Sequence, residues 1–214
     1  MELINKIQGA VFFVDILGFG ELTQKKITLK NEDFSAWLDQ YSLEYENQNL
    51  AASILAKFRE ILLKVDEKFE DVTTSQLSDC AFVWSKNIKE VIISANNIMS
   101  ECISNGVLCR GGLSYGEIIE TSQNHKLGRF ILGDAVTNAV KLEGIAKGCR
   151  IMIHQEFLFL VYVLSSPISK VLFFGIGGFT TLEAMLKILF NTVVLLISSS
   201  LLMPVMLTLS LFNF

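Results

Sequence analysis

The sequence predicts an α+β domain, a mixed sheet with helices packed on one face, followed by a hydrophobic C-terminal tail. Three observations lead there. Short β-rich apolar runs alternate with amphipathic stretches in the order strand, helices, hairpin, helix, strand, strand, helix, strand. Two of those runs, VFFVDILGFG at 11–20 and QLSDCAFVW at 76–84, each drive toward a single aspartate, Asp15 and Asp79. Charge then stops abruptly: in a chain of 214 residues, only Lys170, Glu183 and Lys187 are charged beyond residue 156. This break divides the chain into a globular domain over 1–156 and a tail over 157–214.

The elements follow in order. Residues 10–15 (AVFFVD) are short, apolar, β-branched and aromatic, as a central strand is. Residues 31–49 are polar, with Trp37, Tyr41 and Tyr45 spaced by four, which places them on one helical face. Residues 50–69 carry Ile54, Leu55, Phe58, Ile61, Leu62 and Val65 at the spacing of an amphipathic helix. Residues 71–75 and 80–84 read as a hairpin with Asp79 at its connection. A helix over 88–104 ends at Asn105-Gly106. Residues 107–119 form a strand in which Gly111-Gly112 marks either a bulge or a close backbone approach. A short strand at 127–132, a helix over 134–147 ended by Gly148, and a strand at 150–154 complete the domain.

The charge balance limits the function. The tail charges leave residues 1–156 at −5 within a chain of −4, so the domain has no basic face with which to hold duplex nucleic acid. Cys80, Cys102, Cys109 and Cys149 form no C-x-x-C pair and lie among apolar neighbours, which reads as reduced core thiols rather than a zinc site. His125 and His154 are isolated, and Glu2, Asn5, Lys6 and Gln8 interrupt any N-terminal apolar leader.

A carboxylate at the end of a buried strand needs a positive partner. Two of them brought together repel, and a divalent cation between them relieves the repulsion. Gly18 and Gly20, flanking Phe19, supply a turn whose bare amides can approach phosphate oxygens. Metal and phosphate together point to nucleotide chemistry. The bland alternative for Asp15 and Asp79 is a pair of turn or helix caps.

The blocks VFFVDILGFGELT, LSDCAFV, VLCRGGLSYGEI and LGDAVTNAVKLEGIAKGCRIMI, in that order over residues 8–156, resemble class III nucleotidyl cyclases. Within that family the chain looks most like the short bacterial cyclases of the Pycsar anti-phage system, which make cyclic pyrimidine monophosphates. The resemblance implies a ferredoxin-like core and a metal-dependent lyase that converts UTP or CTP to cUMP or cCMP and pyrophosphate as a defence signal. It implies two Mg²⁺ or Mn²⁺ ions on Asp15, Asp79 and the carbonyl of Ile16, with the triphosphate on the amides of Leu17, Gly18, Phe19 and Gly20. The ions would acidify the ribose 3′-hydroxyl and take up charge on the leaving pyrophosphate.

The resemblance also implies a homodimer with shared sites, in which the third helix of one protomer serves the aspartates of the other. At the transition-state asparagine and arginine positions of that helix this chain has Thr137, with Asn138 beside it, and Lys141. Lysine keeps the charge and loses the bidentate fork. Where adenylyl cyclases read their base with a lysine and an aspartate, this chain has Ser75 and Phe130. That fits a pyrimidine enzyme and weakens the reading as a cAMP-forming one. Arg110 reads as a structural partner of a carboxylate near the sheet edge, with a phosphate contact as the alternative, and Glu117 and Glu143 read as structural partners. A cyclase-like nucleotide sensor without turnover, or a membrane-anchored interaction module, is the competing reading.

The tail has two readings of similar weight. Residues 188–214 contain no charge and are long enough to span a bilayer, with 157–182 as a poorer first span. That would tether a cytoplasmic catalytic domain to the inner membrane. The same switch in composition suits a shifted reading frame near residue 157, which would replace the charged hairpin that ends the family's sheet.

Overall fold

The computed structural model describes residues 4–121, 130–155 and 157. The tail beyond residue 157 and the segment 122–129 lie outside the described residues. Both readings of the tail, and the first half of the strand expected at 127–132, therefore fall outside them. Among the described residues no helix is long and apolar enough to cross a membrane.

The sheet is built on two long antiparallel partners, β1 (Ile4–Ile16) and β4 (Cys109–Thr121), which pair without interruption from Ile4 opposite Thr121 to Ile16 opposite Cys109. β3 (Cys80–Ser85) pairs with β1 only over Ala10–Asp15, and β2 (Thr73–Leu77) lies outside β3. β5 (Ile131–Leu132) and the parallel β6 (Ile151–Ile153) share the other side of β4. The helices are α1 (Phe19–Thr23), α2 (Asn31–Leu38), α3 (Asn47–Asp66), α4 (Ile88–Ser104) and α5 (Asp134–Ile145). The mixed α+β architecture expected from the sequence is the one found.

Alternation along β1 assigns its two faces. Ala10, Phe12, Val14 and Ile16 point to the main core, which α3 and α4 seal with Phe58, Ile61, Ile98 and Cys102. Ile7, Val11 and Phe13 point the other way and meet Ala135, Val136 and Ala139 of α5. The expectation of helices on one face alone is thus corrected. α5 covers the opposite face because its apolar stripe matches the odd-numbered residues of β1.

Three local expectations change. The register shows no bulge at Gly111-Gly112; the glycines are there for close approach. A Cβ on Gly111 would come within 2.4 Å of the Phe12 ring, and one on Gly112 within 2.0 Å of the Ala139 carbonyl oxygen. The helix expected over 31–49 stops early, since α2 passes through a 3-10 turn (Asp39–Tyr41) to Ser42 at φ 52°, leaving Tyr41 and Tyr45 exposed. Of the four free cysteines, Cys102 and Cys109 are buried, while Cys80 and Cys149 are only partly so. Donating its S–H to Cys102 and being buried together push the Cys109 thiol well above its usual range.

Candidate active site

The site forms where β1 ends. Asp15 is its last odd-numbered residue and so points to the α5 face, directly across from Cys80 on β3 and Arg110 on β4. The hairpin between β2 and β3 closes with a two-residue loop, Ser78-Asp79, in which Ser78 takes φ 57°. Gln76 supports that loop by donating from Nε2 to the Ser78 carbonyl at 2.9 Å. The Ile16 amide then donates to the Asp79 carbonyl at 3.0 Å, locking the loop against the strand end. The two aspartates singled out from the sequence are therefore neighbours, although 64 positions separate them.

The glycine turn follows at once. The Leu17 amide donates to the Leu108 carbonyl at 2.8 Å, and Gly18 sits at φ 75° immediately before α1. That left-handed conformation is strained for any residue with a Cβ. Gly18 and Gly20 are exposed, whereas the Phe19 side chain turns inward against the core. Asn47 Nδ2 donates to the Leu22 carbonyl at 3.1 Å and Gln48 Nε2 to the Thr23 carbonyl at 3.1 Å, so the start of α3 fixes the end of α1.

Charge is concentrated here. Burial first, then Glu143 and Asp79, push the Asp15 carboxyl up to about 6, while Arg110 acts in the opposite sense. Arg110 lies between two acids: its Nε donates to Glu143 Oε1, and its Nη2 is 3.8 Å from Asp15 Oδ2. Arg110 and Glu143 thus are ion-pair partners, as expected, and they stand inside the site rather than at a remote sheet edge. Burial and the same acids also push the Cys80 thiol up to about 11, so it stays protonated beside Asp15.

The donor chemistry suits a hard cation. Two crowded carboxylates and backbone carbonyls are oxygen ligands of the kind Mg²⁺ and Mn²⁺ take. Among the described residues no group of three or more His, Cys, Asp or Glu is placed to hold a metal ion. Water, joined by phosphate oxygens once a nucleotide is present, would therefore complete the shell of such ions.

The structure does not gather every expected residue in one chain. Ser75 lies on the same face as Asp15, through the cross-strand row Ser75–Phe82–Phe13. Phe130 lies at the far end of the sheet, its carbonyl accepting from Thr121, which pairs with Ile4. Eleven residue steps along the strand separate Ile4 from Asp15, roughly 36 Å at the rise of a strand. Thr137 and Lys141 are exposed on the outer side of α5 and Asn138 is half-buried, while Glu143 faces the sheet. Lys141 is not among the charges that act on Asp15.

No family model matches the chain, and no curated protein matches it. Solved structures do. The chain is similar to the guanylyl cyclase domain of the RhoGC fusion protein from the aquatic fungus Blastocladiella emersonii, at 15% identity over 76% of this chain and 90% of that one, with a TM-score of 0.53. It is similar to the guanylyl cyclase Cya2 at 12% identity, over 74% of this chain and 80% of that one, with a TM-score of 0.54. It is similar to the adenylyl cyclase CyaB of P. aeruginosa at 19% identity, over 77% and 84%, with a TM-score of 0.52. The fold carrying Asp15 and Asp79 is therefore that of the guanylyl and adenylyl cyclases, the class III cyclase fold.

Proposed function

We propose that this chain is a metal-dependent nucleotidyl cyclase whose substrate is a pyrimidine nucleoside triphosphate, UTP or CTP. The observation that carries the reading is the meeting of Asp15 and Asp79 beside an exposed glycine turn, on a fold shared with guanylyl and adenylyl cyclases. Asp15, Asp79 and the Ile16 carbonyl would hold two Mg²⁺ or Mn²⁺ ions. Bound there, the ions would supply acidification of the ribose 3′-hydroxyl and charge for the departing pyrophosphate. The Leu17–Gly20 backbone would orient the triphosphate so that the 3′-oxygen faces the α-phosphorus, and positioning of that kind is most of what phosphoryl transfer asks of a protein. The bond formed joins the 3′-oxygen to the α-phosphorus, and the bond broken releases pyrophosphate.

Ser75 supports the pyrimidine assignment, being a small neutral side chain on the face of Asp15. Phe130 lies at the other end of the sheet and Lys141 is not among the charges acting on Asp15, which favours a homodimer in which Thr137, Asn138, Lys141 and Phe130 serve the partner's site. Mixing Asp15→Ala and Lys141→Ala proteins, each inactive alone, should then restore activity; absence of recovery would contradict the shared site. The anti-phage signalling role is proposed on the resemblance of the sequence blocks to Pycsar cyclases alone.

The experiment is incubation of the full chain with each of the four ribonucleoside triphosphates and Mn²⁺, with products identified by mass spectrometry. Formation of cUMP or cCMP supports the proposal. Formation of only cAMP or cGMP overturns the pyrimidine assignment. With no cyclic product at all, the nucleotide sensor that Thr137 and Lys141 keep in view becomes the better reading.

A further inference from the structure

We propose that Glu143 is a positioning residue that holds the Arg110 guanidinium off Asp15 and so keeps that carboxylate available to a divalent ion. This rests on the metal-site reading given above. Its basis is geometric. Gly112 lies two residues along β4 from Arg110, on the same face, and a Cβ there would come within 2.0 Å of the Ala139 carbonyl oxygen and 2.8 Å of the Glu143 nitrogen. The α5 backbone thus rests directly on β4, and that contact delivers the Glu143 carboxylate to Arg110. Glu143 is only 7% exposed, and a carboxylate that dry needs a cationic partner. Arg110 answers it through Nε. The other end of the guanidinium, at 3.8 Å from Asp15 Oδ2, attracts that carboxylate but lies beyond hydrogen-bond reach.

A guanidinium favours two parallel N–H···O bonds to a single carboxylate. With Glu143 present, the fork is engaged by α5. Without Glu143, the acid left at Arg110 is Asp15. Arg110 would then close onto both Asp15 oxygens and fill the lone pairs that a hard cation uses. The acid on α5 therefore protects a ligand on β1 by acting through an arginine on β4.

The test is Mn²⁺ titration of the full chain without nucleotide, followed by electron paramagnetic resonance, with circular dichroism reporting the fold. The wild-type protein is expected to bind Mn²⁺ in a way that Asp15→Asn abolishes. Glu143→Gln should weaken that binding by at least about tenfold, the scale on which residues that orient metal ligands act. Combining Arg110→Gln with Glu143→Gln removes the competing cation together with its partner and should recover most of the loss. A Glu143→Gln protein that melts earlier yet binds Mn²⁺ as the wild type does would overturn the proposal, because Glu143 would then only be bracing α5. If Glu143→Gln does not fold, the double substitution decides: binding near the wild-type level supports the role, and a loss as deep as that of Asp15→Asn overturns it. Failure of the wild type to show any Asp15-dependent binding would remove the metal site and this inference together. Normal wild-type binding with no response to Glu143→Gln removes this inference alone.

Discussion

The two faces of β1 are built to opposite ends. On the α3–α4 side, Phe12, Val14 and Ile16 meet Phe58, Ile61 and Ile98, and the face is dry to its last residue. On the α5 side, Val11 and Phe13 are packed as firmly, but the next position in the row is Asp15, followed across the sheet by Arg110 and above it by Glu143. One strand thus carries a face that is apolar throughout and a face that ends in a cluster of charged groups. The lesson is that a shift of a single residue along β1 separates core from site, since the side-chain period of a strand is two.

Substitutions should divide along the same line. The largest effect belongs to the dry face: Phe12→Ala should lower the unfolding free energy by about 3–5 kcal/mol, measured by urea denaturation. An effect below about 1 kcal/mol would mean that this face is not the principal core. Next comes Asp15→Asn. On the proposed function, cyclase activity should fall by more than about 100-fold, since removing a proposed metal ligand should cost more than removing a residue that merely orients one. Gly112→Ala follows, costing about 1–3 kcal/mol as its Cβ lifts α5 from β4. It should weaken Mn²⁺ binding as well, by carrying Glu143 away from Arg110, which Phe12→Ala should not do.

The smallest effect has the sharpest sign. Asp15 in the metal-free fold titrates near 6 rather than its ordinary 3.8, so the folded state holds that proton more tightly than the unfolded state. The stability linked to this group is complete below about pH 4 and is lost as pH rises through about 6. Metal-free Asp15→Asn should therefore melt above the wild type near pH 7.5, with the difference closing toward about pH 4. A wild-type protein that melts higher at both pH values would contradict the assigned environment of Asp15.

How much of this was legible in the sequence depends on how local each cause is. The helix over 88–104 was legible to its ends because its periodicity and the Asn105-Gly106 stop are local. The strand start was not: Asn5, Lys6 and Gln8 look unlike a central strand, and only the pairing of that stretch with β4, without β3, makes β1 reach back to Ile4. Asp15 and Asp79 were legible as a pair because Asp15 closes one apolar run and Asp79 immediately precedes another, CAFVW. Arg110 and Glu143 were legible only as ion-pair partners of unspecified acids and bases, since 33 positions and a sheet crossing separate them. Gly111-Gly112 signalled either a bulge or a close approach in the sequence, and neither the choice between them nor the approaching neighbour was local information.

The central claim is that Asp15 and Asp79 jointly hold a divalent ion beside the Gly18 turn. It is tested most directly by anomalous diffraction from crystals of the full chain grown with Mn²⁺ and a 3′-deoxynucleoside triphosphate. The account predicts manganese peaks bridged by the Asp15 and Asp79 carboxylates, with phosphate oxygens against the amides from Leu17 to Gly20. Manganese bound elsewhere, with Arg110 closed onto Asp15, would contradict it.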